Sequence, residues 1–261
     1  MGQFSLAELP AALAEHVPAR ARLSYPTQGK TSDVAFAEYD GCVVVVKRCA
    51  HPIYLEWLRR EQAALRALEH SGLSVPRFVA YAEGDENGVA VGWLVMTRLV
   101  GSPLLAAVRA AAESQCRTVF RSLGELLRRL HATAVPRELA RREPWVARQM
   151  TQARANLPWC DGTAAGLAEL EASRPTPVAE TLMHGDLALD NVLVDAHGSL
   201  SLIDWADGGA GDPRHDLALA LQTKPELELS AGAFDAFAAG YGAAVPDAAT
   251  RDWFVRLYDY F

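Results

Sequence analysis

Asp40-Gly41 stands between VAFAEY (34–39) and CVVVVK (42–47), and this arrangement leaves the chain little choice. Asp-Gly suits a two-residue turn in which both residues take positive φ, and β-branched residues beside it favour extended backbone. An antiparallel hairpin is expected, preceded by a weak strand in ARLSYP (21–26). From Pro52 to His70 the period changes: Leu55, Leu58, Leu65 and Leu68 recur at helical spacing, and Gly72 follows as a stop. Ser74–Arg77 is extended and Gly92–Thr97 is a further strand. Gly101-Ser102-Pro103 then resets the chain, with Ser102 as an N-cap and Pro103 as the first helical residue. Val119, Leu123, Leu126, Leu127 and Leu130 mark a long helix with one apolar stripe. Residues 132–180 mix helices and loops. Val192–Val194 and Leu200–Ile203 flank Ala196-His197-Gly198 as a second hairpin, and helices follow Pro213. The outline is α+β in two lobes: a β-rich part over 1–98 holding one helix, and a mainly helical part over 99–261.

The formal net charge of −7 is unevenly spread. Residues 1–131 carry 15 Lys/Arg and 13 Asp/Glu, whereas 132–261 carry 10 and 19. An acidic half attracts cations and repels nucleic acid, and no basic, aromatic-rich stripe argues otherwise. No stretch of apolar residues is long enough for a membrane span, and MGQFSLAELP lacks the basic and apolar regions of a secretory signal. Cys42, Cys49, Cys116 and Cys160 have no C-x-x-C spacing, which disfavours zinc and redox motifs and fits a reducing, cytoplasmic compartment.

Gly29-Lys30-Thr31 resembles the end of a phosphate-binding G-x-x-x-x-G-K-[ST] loop. That pattern needs a glycine at 24, where Ser24 stands, and a helix afterwards, where Asp33–Tyr39 is a strand. Both counts argue against a P-loop.

The chemistry-bearing residues lie in HGDLALDN (184–191) and in LVDAHGSLSLIDW after it. Asp186, Asn191 five residues on, and Asp204 at the end of the second hairpin form a set of oxygen donors of the kind Mg²⁺ prefers. Singly, Asp186 could cap a helix, Asn191 could serve a turn and Asp204 could end a strand. Together they follow the protein-kinase order H-R-D-x-x-x-x-N and then a metal-binding aspartate, with Gly185 in place of the arginine.

HGDLALDN and IDWADGGAGDPRHDLA (203–218) resemble the two signatures of the aminoglycoside phosphotransferase family, a branch of the kinase-like fold. The resemblance extends to LRREQAALRALEHSGLSVPRFV (58–79) and LGELLRRLHA (123–132), and covers roughly residue 45 to the end. It implies a two-lobed kinase-like protein that uses ATP or GTP with Mg²⁺. Asp186 would accept or orient the substrate hydroxyl, and Asn191 and Asp204 would hold Mg²⁺. Lys47 would bind the α- and β-phosphates, paired with Glu61 rather than Glu56. The backbone of Thr97 and Leu99 would meet adenine. Gly29 would turn the loop over the nucleotide, with backbone N–H groups through Ser32 approaching the β-phosphate.

The terminal RDWFVRLYDYF resembles the R-L-L-D-E-F-F run that ends aminoglycoside 3′-phosphotransferases. That likeness implies a cationic aminoglycoside acceptor, phosphorylated at the 3′-hydroxyl, with Asp161, Asp190, Asp259 and the carboxylate of Phe261 at the substrate. The run is one residue shorter here and has Tyr260 where an acid is expected. Asp207 stands where an arginine is usual, and Gln222-Thr223 replace a charged pair. The same fold also serves other small hydroxyl acceptors, such as another antibiotic, a ketosamine, choline or a homoserine-like metabolite. A monomer or weak dimer that binds neither nucleic acid nor membrane completes the expectation.

Overall fold

Asp40 and Gly41 take φ of 48° and 76°, the paired positive values of a type I′ turn. A computed structural model describes residues 3–26, 32–222 and 229–261. In it β1 (Arg22–Ser24), β2 (Asp33–Tyr39) and β3 (Cys42–Cys49) pair antiparallel, with Tyr39 opposite Cys42. Gly29-Lys30-Thr31 lie outside the described residues, but strand β2 from Asp33 stands where a P-loop needs a helix, which removes the P-loop reading.

Helix α1 (Pro52–Ala67) opens on Pro52, whose missing N–H costs nothing in a first turn. It buries Leu55, Leu58, Ala64 and Leu65, and with them Glu61. Strands β4 (Phe78–Glu86) and β5 (Val89–Thr97) complete a five-stranded sheet of order β1-β2-β3-β5-β4. β4 was not anticipated from the sequence, although Asn87-Gly88 supplies a second type I′ pair, with φ of 56° and 84°. Gly92 lets α1 lie close on the sheet, since a Cβ there would stand 2.4 Å from Leu55 Cδ1. The first residues add to this core as well. Phe4, Leu13 and Val17 are buried with Val91, Trp93 and Val95, and Phe4 meets Trp93 edge-on at 4.9 Å.

Beyond Val100, Ser102 does not cap a helix. Strand β6 (Ser102–Pro103) holds it extended against Val194, and Pro103 becomes the N-cap of α2 (Leu104–Arg109). The cause is the close approach of the backbones, for a Cβ on Gly101 would lie 2.8 Å from the Val194 carbonyl oxygen. The long helix α3 (Glu113–Ala132) buries Leu123, Leu126, Leu127 and Leu130. After it come α4 (Trp145–Asn156), α5 (Ala164–Ala172), β7 (Thr181–Met183), β8 (Val192–Val194), β9 (Leu200–Leu202), β10 (Gly209–Gly211), α6 (Pro213–Ala220), α7 (Ala231–Tyr241) and α8 (Ala248–Tyr258). β6, β8 and β9 form one small sheet, and β7 with β10 another. The chain thus divides into two compact units. The first runs to Val100 and includes Ile203–Asp207; the second comprises Gly101–Leu202 and Gly208–Phe261.

Within the second unit α3 and α7 touch through glycines. A Cβ on Gly124 would meet the Phe237 carbonyl oxygen at 2.2 Å, and one on Gly240 would meet the Arg121 carbonyl oxygen at 2.1 Å. The loop after β7 is held by a buried carboxylate. Asp216 on α6 has no exposed surface, and its two oxygens accept the N–H groups of His184 at 2.7 Å and Gly185 at 2.9 Å. His131 Nε2 on α3 stands 3.3 Å from Asp216 Oδ2, and His131 Nδ1 lies 3.0 Å from the Tyr241 hydroxyl on α7. Burial would raise the Asp216 pKa, but the hydrogen bond and charge of His131 and the contact with His184 outweigh it and hold the carboxyl below its ordinary range.

Two predictions follow from this packing. Gly124→Ala is expected to destabilise the protein by about 2 kcal/mol in urea unfolding, despite alanine's ~1 kcal/mol helical advantage over glycine. Gly84→Ala is the control, because among the described residues nothing lies within 4 Å of its Cβ position. For Asp216 the folded pKa lies below the unfolded one, so its stabilisation is complete above about pH 4 and is lost as pH falls through the folded value. Asp216→Asn should cost roughly 3 kcal/mol at pH 7, and the gap to wild type should narrow below about pH 4. A gap independent of pH would show that the charge on Asp216 is not what holds the loop.

Candidate active site

In the first unit, strand β3 carries an ammonium enclosed by acids. Lys47 Nζ lies 2.7 and 2.8 Å from the two Glu61 oxygens and also contacts Asp204 Oδ1. Glu61 reaches Lys47 because it sits on the buried face of α1, whereas Glu56 is exposed and pairs with Arg59 and Arg60. The Trp205 backbone also hydrogen-bonds Glu61. Burial works to lower the Lys47 pKa, but the charges of Asp204 and Glu61 outweigh it and keep the ammonium above its ordinary value. Burial pushes the Glu61 carboxyl up, with Lys47 pulling it back. Asp204 itself has φ of 63°, a left-handed backbone uncommon outside glycine. Among the described residues Lys47 faces Glu61 and Asp204, and the half-exposed Asp204 offers carboxylate oxygens of the kind a divalent cation takes.

In the second unit, the loop after β7 presents Asp186. Gly185 has φ of 85°, so glycine suits the place where the protein-kinase pattern has arginine. Its N–H and that of His184 are fixed by Asp216, and its carbonyl lies 2.9 Å from His215 Nε2. Burial lowers the His215 pKa, which keeps the ring neutral with its proton on Nε2. Asn191 ends a 3-10 turn (Leu189–Asn191), and its Nδ2 donates to the Asp186 carbonyl and to Asp186 Oδ2, both at 2.8 Å. The Tyr258 hydroxyl donates to Asp186 Oδ1 at 2.7 Å. This carboxylate is half-buried, fixed and able to accept from a further hydroxyl.

Asp161 and Asp259, nearly one hundred residues apart, line one cavity of about 230 Å³ together with Thr163, Arg256 and Tyr260. Burial and the neighbouring charge of Asp161 push the Asp259 carboxyl up, with Arg256 opposing. A cation in the cavity would relieve that repulsion. Tyr260, which stands where an acid was expected, does not join these carboxylates. Its ring is buried under Gly162 and its hydroxyl donates to the Thr163 carbonyl at 2.8 Å. It secures the cavity wall instead.

The other expected residues are more scattered. Gly29 lies outside the described residues, and Ser32 directly precedes β2. Thr97 ends β5 with its N–H donating to the Arg77 carbonyl at 2.9 Å, while Leu99 is half-buried just beyond. Asp190 is half-buried in the turn before β8, and Phe261 is exposed at the chain end; neither lines the acidic cavity. Tyr258, His131 and Asp216 were not singled out for roles, since their contacts span 31 to 110 residues and leave no local signal. Among the described residues no group of three His, Cys, Asp or Glu side chains could hold a metal alone. The donors that are present suit Mg²⁺ bound with a nucleotide, which takes most of its ligands from phosphates and water. The Asn191 amide nitrogen is spent on Asp186, which identifies Oδ1 as the oxygen left to serve a cation.

The chain resembles known proteins in sequence and in fold. The model of the phosphotransferase enzyme family matches residues 22–254. An aminoglycoside 3′-phosphotransferase of Streptomyces fradiae is 30% identical over 188 residues, covering 67% of this chain and 63% of that protein. The chain therefore matches somewhat less than two thirds of that relative's length. Among solved structures, macrolide 2′-phosphotransferase MphH from Brachybacterium faecium shares the fold at a TM-score of 0.62 and 22% identity, over 94% of this chain and 86% of that one. The streptomycin–ATP–APH(2″)-IIa ternary complex does so at 0.65 and 18%, over 94% and 86%. By the breadth of the family match and the α+β fold shared with these structures, the chain belongs to the phosphotransferase enzyme (APH) family.

Proposed function

We propose that the protein transfers the γ-phosphoryl group of ATP or GTP to a hydroxyl of an aminoglycoside, at the 3′ position. The observation that carries the acceptor class is the pair Asp161 and Asp259 on one cavity, a place made for an amine. The 3′ assignment is supported by the name of the Streptomyces fradiae relative and by the likeness of RLYDYF to the end of such enzymes.

In this reading Asp186 receives the acceptor hydroxyl as a hydrogen-bond donor and takes or orients its proton. Lys47, kept charged by its acids, binds the nucleotide phosphates. Glu61 keeps Lys47 in place. Leu99 meets the base through its backbone; any contact by Thr97 falls to its carbonyl, because its N–H is engaged with Arg77. Asp190 adds to the acidic surroundings of the acceptor, and the backbone N–H of Ser32 approaches the nucleotide β-phosphate. Asn191 and Asp204 would hold Mg²⁺, which neutralises phosphate charge when bound.

The test is steady-state nucleoside diphosphate release by the purified protein with ATP or GTP and Mg²⁺, against kanamycin, streptomycin, choline and buffer. Kanamycin-dependent turnover is expected, with the phosphate located on the product by NMR. Silence on every acceptor would sink the aminoglycoside reading. Asp186→Asn should cut turnover at least about 100-fold, and Lys47→Met by a similar factor, each with the fold retained by circular dichroism. Asp161→Asn and Asp259→Asn should each raise the kanamycin KM about tenfold with little change in kcat. Added salt should raise the wild-type KM in the same direction. A kanamycin KM indifferent to both substitutions would remove the cavity from the acceptor site.

A further inference from the structure

Asp186 is held at both carboxylate oxygens, and only one holder belongs to the HGDLALDN motif. Asn191 Nδ2 donates to Oδ2 at 2.8 Å, and the Tyr258 hydroxyl donates to Oδ1 at 2.7 Å. Tyr258 ends α8, seventy-two residues away. In the R-L-L-D-E-F-F run that this chain end resembles, a leucine stands at that place and could make no such bond.

The tyrosine is itself well supported. Its ring packs against His215, with centroids 6.2 Å apart. His215 is buried against Trp145 and Phe254, and its Nε2–H donates to the Gly185 carbonyl one residue before Asp186. Among the described residues its buried Nδ1 has no hydrogen-bond partner, as a neutral ring with its proton on Nε2 allows. The imidazole therefore ties Tyr258 and the loop together without placing a positive charge beside Asp186.

We infer that Tyr258 is a positioning residue for the proposed phosphoryl transfer: its hydroxyl fixes the rotation of the Asp186 carboxylate. An aspartate χ2 is broad and two-fold, so a single contact at Oδ2 leaves the carboxylate free to swing about it. A second donor on the opposite oxygen removes that freedom. A carboxylate offers about four acceptor directions, and Asn191 and Tyr258 take one on each oxygen. The remaining Oδ1 lone pair is then held in one direction for an incoming hydroxyl, which does not have to displace the phenol. Aligning the acceptor before reaction affects the rate of the chemical step more than the binding of either substrate.

The inference rests on the phosphotransfer reading, and its test separates the two. Tyr258→Phe keeps the ring and removes only the donor. Turnover is measured twice: with kanamycin, and as basal nucleotide hydrolysis with water as the acceptor. The expected result is a kcat about tenfold lower in both assays, with kanamycin and nucleotide KM within about twofold and the melting temperature nearly unchanged. Tyr258→Leu should show the same kcat, since it too lacks the donor. Wild-type turnover in Tyr258→Phe would overturn the inference and leave the tyrosine a packing residue. A lower kanamycin KM with kcat kept would also overturn it, because the hydroxyl would then occupy the acceptor's own place. If kanamycin is not an acceptor but hydrolysis occurs, the aminoglycoside reading fails while the hydrolysis ratio still judges Tyr258. A wild type without either activity would overturn both.

Discussion

A single buried carboxylate organises the second unit. Asp216 accepts two consecutive backbone N–H groups from the loop that carries Asp186, and it faces His131 from α3. Backbone N–H groups stranded away from water are costly, and two adjacent ones cannot both turn into a strand ladder where the chain bends through Gly185. A charged acceptor satisfies both at once, with each such bond worth about 1.5–3 kcal/mol. Because Asp216 lies on α6, His131 on α3 and Tyr241 on α7, the loop is tied to three helices by one chain of polar contacts. The glycine contacts between α3 and α7 matter for the same reason, since they set how closely the two helices carrying His131 and Tyr241 approach.

The first unit solves a different electrostatic problem. A lysine taken out of water would lose its proton unless acids compensate, and Lys47 has two. Glu61 is buried with it and is a permanent partner by position; Asp204 is half-exposed and lies on a left-handed turn. On the proposed reading, nucleotide phosphates would compete with Asp204 for Lys47 and would free that carboxylate for the metal that accompanies them. The arrangement gives a physical reason why a lysine, a buried glutamate and an aspartate from a distant hairpin should occur together.

Much of this was legible along the chain because the signals are local. Asp40-Gly41 and the valine run define one hairpin, and the spacing of Leu55, Leu58, Leu65 and Leu68 leaves Glu61 on the buried stripe of α1. Asp186 and Asn191 are five residues apart, and one short turn brings them into contact. What escaped is set by neighbours distant in sequence. Ser102 carries the composition of an N-cap, yet Val194 holds it in a strand. Tyr260 lies among exposed terminal residues, yet turns inward under Gly162. Tyr258 meets Asp186 only because α8 packs against α6, which no periodicity within RLYDYF announces. The strand β4 belongs to another class, for the Asn87-Gly88 turn that pairs it with β5 is a local signal.

The first unit is not a contiguous stretch of chain. Ile203–Asp207 complete it after roughly one hundred intervening residues. They bring Asp204 to Lys47, the Trp205 backbone to Glu61, and a fully buried indole. During synthesis the amino-terminal sheet and α1 emerge long before these five residues do. Until they arrive, the nascent sheet holds its lysine with one acid instead of two. Most of the second unit up to β9 must leave the ribosome before the first can finish, so neither unit matures strictly ahead of the other.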